Sequence, residues 1–117
     1  MTMLHKGSCH CGKVAFEVET DLEQVIECNC SHCRRKGYLL TFVPRGALTV
    51  TNGEDALSTY TFNTHTIRHR FCATCGCAPF GEGKAPSGAD TAAINVRCLE
   101  TVELAQIQIV RVDGRSF

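Results

Sequence analysis

Apolar and polar positions alternate over short stretches along this chain, and nowhere do they recur at helical spacing for long. Residues 13–19 give the clearest case. Val14, Phe16 and Val18 fall on one face, with Lys13, Glu17 and Glu19 on the other, the pattern of a half-buried strand. Met3–Ser8 predicts a short strand before it, and residues 25–27 predict another running into Cys28. Residues 38–43 and 47–51 predict strands on either side of a Pro44-Arg45-Gly46 turn, and Asn52-Gly53 marks a further turn. Residues 57–62 and 67–71 carry β-branched and aromatic residues at strand density. Residues 91–96 are apolar and strand-like. Residues 106–112 alternate, with Ile107, Ile109 and Arg111 on one face, and Asp113-Gly114 predicts a closing turn.

Helix is expected in two places only. One is a single turn through Cys33-Arg34-Arg35-Lys36, with Ser31 as its N-cap and Gly37 ending it. The other is a brief stretch near residues 54–57. Residues 78–89, with Gly81, Gly83, Pro86 and Gly88, read as a long loop able to form a rim or lid. The sum is a mainly β fold of short strands and little helix, one domain over residues 1–117.

Composition narrows the function classes. Twelve Lys and Arg balance twelve Asp and Glu, and no basic run suggests nucleic acid. The 44% apolar share includes nine cysteines, so the core is thin and metal crosslinks are one way to support it. No stretch approaches the roughly 18 apolar residues of a membrane helix. Residues 1–7 lack the apolar segment of a signal peptide, so a cytoplasmic location is expected. In that reducing compartment a cysteine pattern points to metal or catalysis before disulfides, and an odd number of cysteines cannot pair completely.

The cysteines fall into sets. Cys9-His10-Cys11-Gly12 and Cys72-Ala73-Thr74-Cys75-Gly76 are compact two-ligand knuckles, each followed by a glycine that permits the turn. Together they make one closed four-thiolate zinc site. Cys28-Asn29-Cys30-Ser31-His32-Cys33 places three thiols in six residues, which matches a catalytic zinc with one open position. The alternative is a closed site whose fourth ligand is His32, Cys77 or Cys98. Cys77 and Cys98 otherwise read as small buried residues. His10 and His69 are expected in solvent, packing or hydrogen-bonding roles rather than as ligands, and His5 and His65 carry no site signal. A helical turn after Cys30 would aim N–H groups at Cys30 and Cys33 and favour their thiolates.

Four runs carry a family resemblance: Gly7-Ser8-Cys9-His10-Cys11-Gly12; Cys28-x-Cys30-x-x-Cys33-Arg34; Arg68-His69-x-Phe71-Cys72-x-x-Cys75-Gly76; and Ala93-Ile94-Asn95-Val96-Arg97-Cys98-Leu99. In this order, and over nearly the whole chain, they resemble the glutathione-dependent formaldehyde-activating family, which includes the domain of centromere protein V. The resemblance implies an Mss4-like fold of short antiparallel strands stapled by zinc. It implies structural zinc on Cys9, Cys11, Cys72 and Cys75, and a second, catalytic zinc on Cys28, Cys30 and Cys33. It further implies a carbon–sulfur lyase that joins glutathione to formaldehyde as S-hydroxymethylglutathione. Arg34 and Arg35, the clustered cations beside the three thiols, are the expected contacts for a glutathione carboxylate or the developing alkoxide.

Two other classes stand beside that enzyme. A zinc-stapled binding module would need no open coordination position. A redox protein like the methionine sulfoxide reductase B group would need an unligated, activated cysteine, and only Cys77 and Cys98 are spare, neither in an activating context.

Overall fold

The computed structural model describes residues 2–62, 64–100 and 102–113. Ten strands form two sheets. β1 (Met3–Ser8), β2 (Ala15–Thr20) and β5 (Leu48–Asn52) make a three-stranded antiparallel sheet in the order β1-β2-β5. The other sheet has seven strands in the order β10-β3-β4-β9-β8-β7-β6. They are β3 (Val25–Cys28), β4 (Leu40–Pro44), β6 (Leu57–Tyr60), β7 (Arg68–Cys72), β8 (Phe80–Lys84), β9 (Asp90–Asn95) and β10 (Ile109–Val112). Its pairs are antiparallel except β3 with β10, which run parallel.

The alternation on β2 does what the pattern dictates. Phe16 and Val18 are buried together with Val25, Leu39, Val43, Leu48, Phe80, Ile94 and Val96, residues drawn from both sheets. The rings of Phe16 and Phe80 meet edge to face at 5.9 Å across the gap. The strands predicted over 38–43 and 47–51 therefore flank a crossover between sheets, with a 3-10 turn at Arg45–Ala47, rather than a hairpin. The helical stretch near 54–57 is a 3-10 turn at Glu54–Ala56. The Asp113-Gly114 turn lies partly outside the described residues. Among the described residues no helix is long and apolar enough to cross a membrane.

The expected loop over 78–89 is corrected. Residues 80–84 form β8, hydrogen-bonded between β7 and β9, and only residues 85–89 remain as the connection to β9. Gly81 and Gly83 are not turn residues here. An added Cβ on Gly83 would touch the Ile67 side chain at 3.4 Å, and one on Gly81 the Arg68 carbonyl oxygen at 3.5 Å. Both distances are ordinary van der Waals contact, so the strand would accommodate a Cβ at either position. On the opposite face Phe80 and Glu82 are buried, and Glu82 accepts from Arg45 Nε and Arg70 Nη1, each at 2.7 Å.

Candidate metal centres and the cleft beside them

The first knuckle sits in the connection between β1 and β2. Cys9 N–H donates to the Val14 carbonyl at 3.0 Å and Gly12 N–H to the Cys9 carbonyl at 3.2 Å, a tight turn that Gly12 closes at φ 82°. The second follows β7 with matching geometry: Gly76 N–H donates to the Cys72 carbonyl at 2.9 Å, and Gly76 has φ 82°. At those backbone angles a side chain would be strained, which is why glycine ends both knuckles. The sulfurs of Cys9, Cys11, Cys72 and Cys75 all lie within 4.8 Å of one another. Cys11 Sγ is 3.6 Å from both Cys9 Sγ and Cys72 Sγ. Four thiolates about 2.3 Å from a tetrahedral zinc stand about 3.8 Å apart, so the set fits that ion.

The local field prepares these sulfurs for a cation. Backbone N–H groups, of Cys75 at Cys72 and of Cys11 and Cys77 at Cys75, hold both thiols below the usual range, Cys75 at about 5. Cys11 goes the other way, to about 11: the Lys13 N–H lowers it, but desolvation and the neighbouring sulfurs outweigh that donor. Like charges this close cannot all ionise without a counter-charge.

The second cluster is built by β3 and the short helix α1 (Ser31–Lys36). Here the expected cap is displaced by one residue. Cys30, extended at φ −61° and ψ 164°, is the N-cap, and its Sγ accepts from the Cys33 N–H at 3.3 Å. A sulfur takes the role usually held by a hydroxyl or carboxylate oxygen. Gly37 at φ 71° ends the helix as expected. The sulfurs of Cys28, Cys30 and Cys33 lie within 4.8 Å of one another, and among the described residues no fourth Cys, His, Asp or Glu ligand atom joins them. Desolvation raises the Cys30 thiol, yet donation from the Cys33 and His32 N–H groups leaves it below the ordinary range. Cys33 is pushed well above it, first by burial and then by the Cys30 and Cys28 sulfurs. Both clusters can hold a metal.

The candidates for a fourth ligand sit elsewhere. The His32 ring stands among Tyr38, Tyr60, Phe62 and His69, its centroid 4.2 Å from that of His69, and neither ring nitrogen has a hydrogen-bond partner among the described residues. Burial lowers the pKa of both histidines, that of His69 to about 4, which disfavours the charged form. Cys77 packs against the four-cysteine cluster with Cys9, Val14 and Cys72. Cys98 is half-buried, and burial pushes its pKa up to about 11.

A cleft of about 420 Å³ opens beside the three-cysteine cluster. Cys28, Cys33 and Tyr38 line it with Arg34, Arg97 and Arg111. Its size lies in the range of small-molecule sites. Arg34 is thus brought to the thiols. Arg35 lines a neighbouring cavity with His32, Lys36, Tyr60 and Phe62, and its Nη1 donates back to the Ser31 carbonyl at 2.9 Å. Arg97 and Arg111 were not candidates in the sequence. Their signals were faint: Arg97 stands next to Cys98 in a run that carried the family resemblance, and Arg111 interrupts an apolar face.

The family model described as glutathione-dependent formaldehyde-activating enzyme matches residues 4–110. A crystal structure of a Rhodobacter sphaeroides protein superposes with a TM-score of 0.78 at 34% sequence identity, covering 90% of this chain and 99% of that one.

Proposed function

The chain belongs to the glutathione-dependent formaldehyde-activating enzyme family, and from that premise we propose that it is a zinc-dependent carbon–sulfur lyase joining a small thiol, such as glutathione, to formaldehyde. In this reading Cys28, Cys30 and Cys33 hold the working zinc, and Cys9, Cys11, Cys72 and Cys75 hold a second, structural one. The observation that carries it is a set of three thiols, with no fourth protein ligand among the described residues, lining a cleft of small-molecule size. Three protein ligands with one open position are the arrangement of catalytic zinc. A zinc ion there supplies one thing, deprotonation of an incoming thiol at neutral pH.

The chain's own groups do the rest. The cleft holds the thiol sulfur and the aldehyde carbon within reach of one another, which removes much of the entropic barrier to a bimolecular addition. As the carbon–sulfur bond forms, the carbonyl π electrons move to oxygen. Arg34, with no side-chain partner among the described residues, is the cation placed to oppose that charge before solvent protonates it. Tyr38, 5% exposed, walls the site and keeps its phenol proton, since burial raises its pKa to about 12.

The direct test mixes reduced, zinc-loaded protein with glutathione and formaldehyde and follows S-hydroxymethylglutathione exchange by NMR. Acceleration over buffer that Cys30→Ser abolishes is expected. A parent protein no faster than buffer would leave a zinc-stapled binding domain as the better description.

A further inference from the structure

The cleft carries more charge recognition than addition to formaldehyde requires. Three guanidinium groups face two carboxylates, those of Glu27 and Asp113, in a chain whose formal charge is zero. The arginines come from three elements far apart in sequence: Arg34 from α1, Arg97 from the 3-10 turn Val96–Cys98 after β9, and Arg111 from β10. The topology gathers them because β10 pairs with β3, whose last residue is Cys28.

Arg97 is held in place by its surroundings, and Arg111 is only loosely paired. Arg97 N–H bonds the Asn95 side-chain oxygen at 3.2 Å, and its Nε donates to the Gly37 carbonyl at 2.9 Å. That contact fixes the guanidinium against the end of α1, and its terminal nitrogens make no hydrogen bond within the described residues. Arg111 Nε stands 3.4 Å from Glu27 Oε1, a loose pair with both side chains largely in water. Such a pair is weak and exchanges readily for a better anion. Arginine suits this task because its planar fork can take a carboxylate through two parallel hydrogen bonds.

We infer that Arg97 and Arg111 are specificity-determining residues which select thiols bearing carboxylates at positions remote from the sulfur. Glutathione, the thiol of the proposed function, carries two such carboxylates, one for each of these arginines, and Glu27 adds an acceptor for its ammonium group. This rests on the thiol-binding reading of the three-cysteine site. Arg97 and Arg111 touch the ends of the ligand and take no part in the bond that forms.

The test is a set of binding titrations on protein carrying cobalt at the three-cysteine site, with a thiol's entry read from the charge-transfer spectrum. The probes are glutathione, glutathione diethyl ester, whose thiol is intact but whose carboxylates are masked, and 2-mercaptoethanol. The parent should bind glutathione at least tenfold more tightly than the diester. Arg97→Gln and the exposed Arg111→Gln should each weaken glutathione by about three- to tenfold and leave the diester and 2-mercaptoethanol unmoved, with higher salt narrowing the parent's preference. Arg97→Lys should restore only part of it. Equal affinity of the parent for glutathione and diester would overturn the selection while keeping the thiol site. Equal weakening of all three probes in both variants would make the arginines structural. If no thiol alters the spectrum, the thiol-binding reading fails and the selection fails with it.

Discussion

At the scale of single residues the two cysteine clusters differ in what their removal should do. Structural zinc contributes about 10–16 kcal/mol in small peptides, as much as the whole net stability of a typical domain at about 5–15 kcal/mol. Cys72→Ser takes a buried ligand from the four-thiolate set and should yield an insoluble or unfolded chain. Cys30→Ser removes a half-buried ligand at a helix cap, where serine is itself a good cap, and should leave a folded protein with one metal fewer. Circular dichroism with metal analysis separates the two, and equal collapse of both variants would end the division of labour. The two groupings were legible in the sequence because each is built from short runs of neighbouring cysteines, with spacing and glycine standing in for geometry. Arg97 and Arg111 were not, because only the pairing of β10 with β3 and the turn after β9 bring them to Cys28 and Cys33.

At the scale of elements the alternating strands were legible and β8 was not. Its Gly81 and Gly83 mimic turn residues, and its one buried charge, Glu82, reads as a solvent position until Arg45 and Arg70 are set beside it. The cap of α1 moved by one residue: the rule favours Ser31, but the turn that gathers the three cysteines already places Cys30 Sγ at the Cys33 N–H. Glu82 also gives β8 a pH signature. Burial alone would raise its pKa, but the bonds from Arg45 and Arg70 outweigh that and hold it below the ordinary carboxylate range. The unfolded chain therefore binds this proton more readily than the folded one. Its stabilisation is complete above about pH 4.3, the usual glutamate value, and drains away as pH falls through the lowered one. Glu82→Gln should cost about 1.5–3 kcal/mol at neutral pH, the scale of a charged hydrogen bond left unmade. That cost should shrink toward acid. Urea unfolding at pH 7 and pH 3.5 measures both, and a cost independent of pH would refute the assignment.

At the scale of the whole molecule the clusters brace different things. The four-thiolate set joins the β1–β2 connection of one sheet to the end of β7 in the other, and Cys11 and Cys72 are 61 residues apart. On the chain-entropy scale for a crosslink, a loop of that size removes about 4 kcal/mol of unfolded-state freedom. Cys28 to Cys33 is a loop of a few residues within one β–α unit, worth about half as much on the same scale. The closed set also packs on a buried patch with Val14, whereas the open set lines a cleft. A chelator should therefore act in two stages. Mild treatment is expected to withdraw about one metal per chain while circular dichroism and the melting transition barely change. Withdrawal of the second should coincide with loss of the fold, because the four-thiolate set is the one of the two clusters that ties one sheet to the other across the thin core. A protein that already holds thiol in the cleft should give up the first metal more slowly, since the thiol fills the position through which a chelator enters. Loss of both metals in one step together with unfolding would mean that the three-cysteine site is as structural as the other.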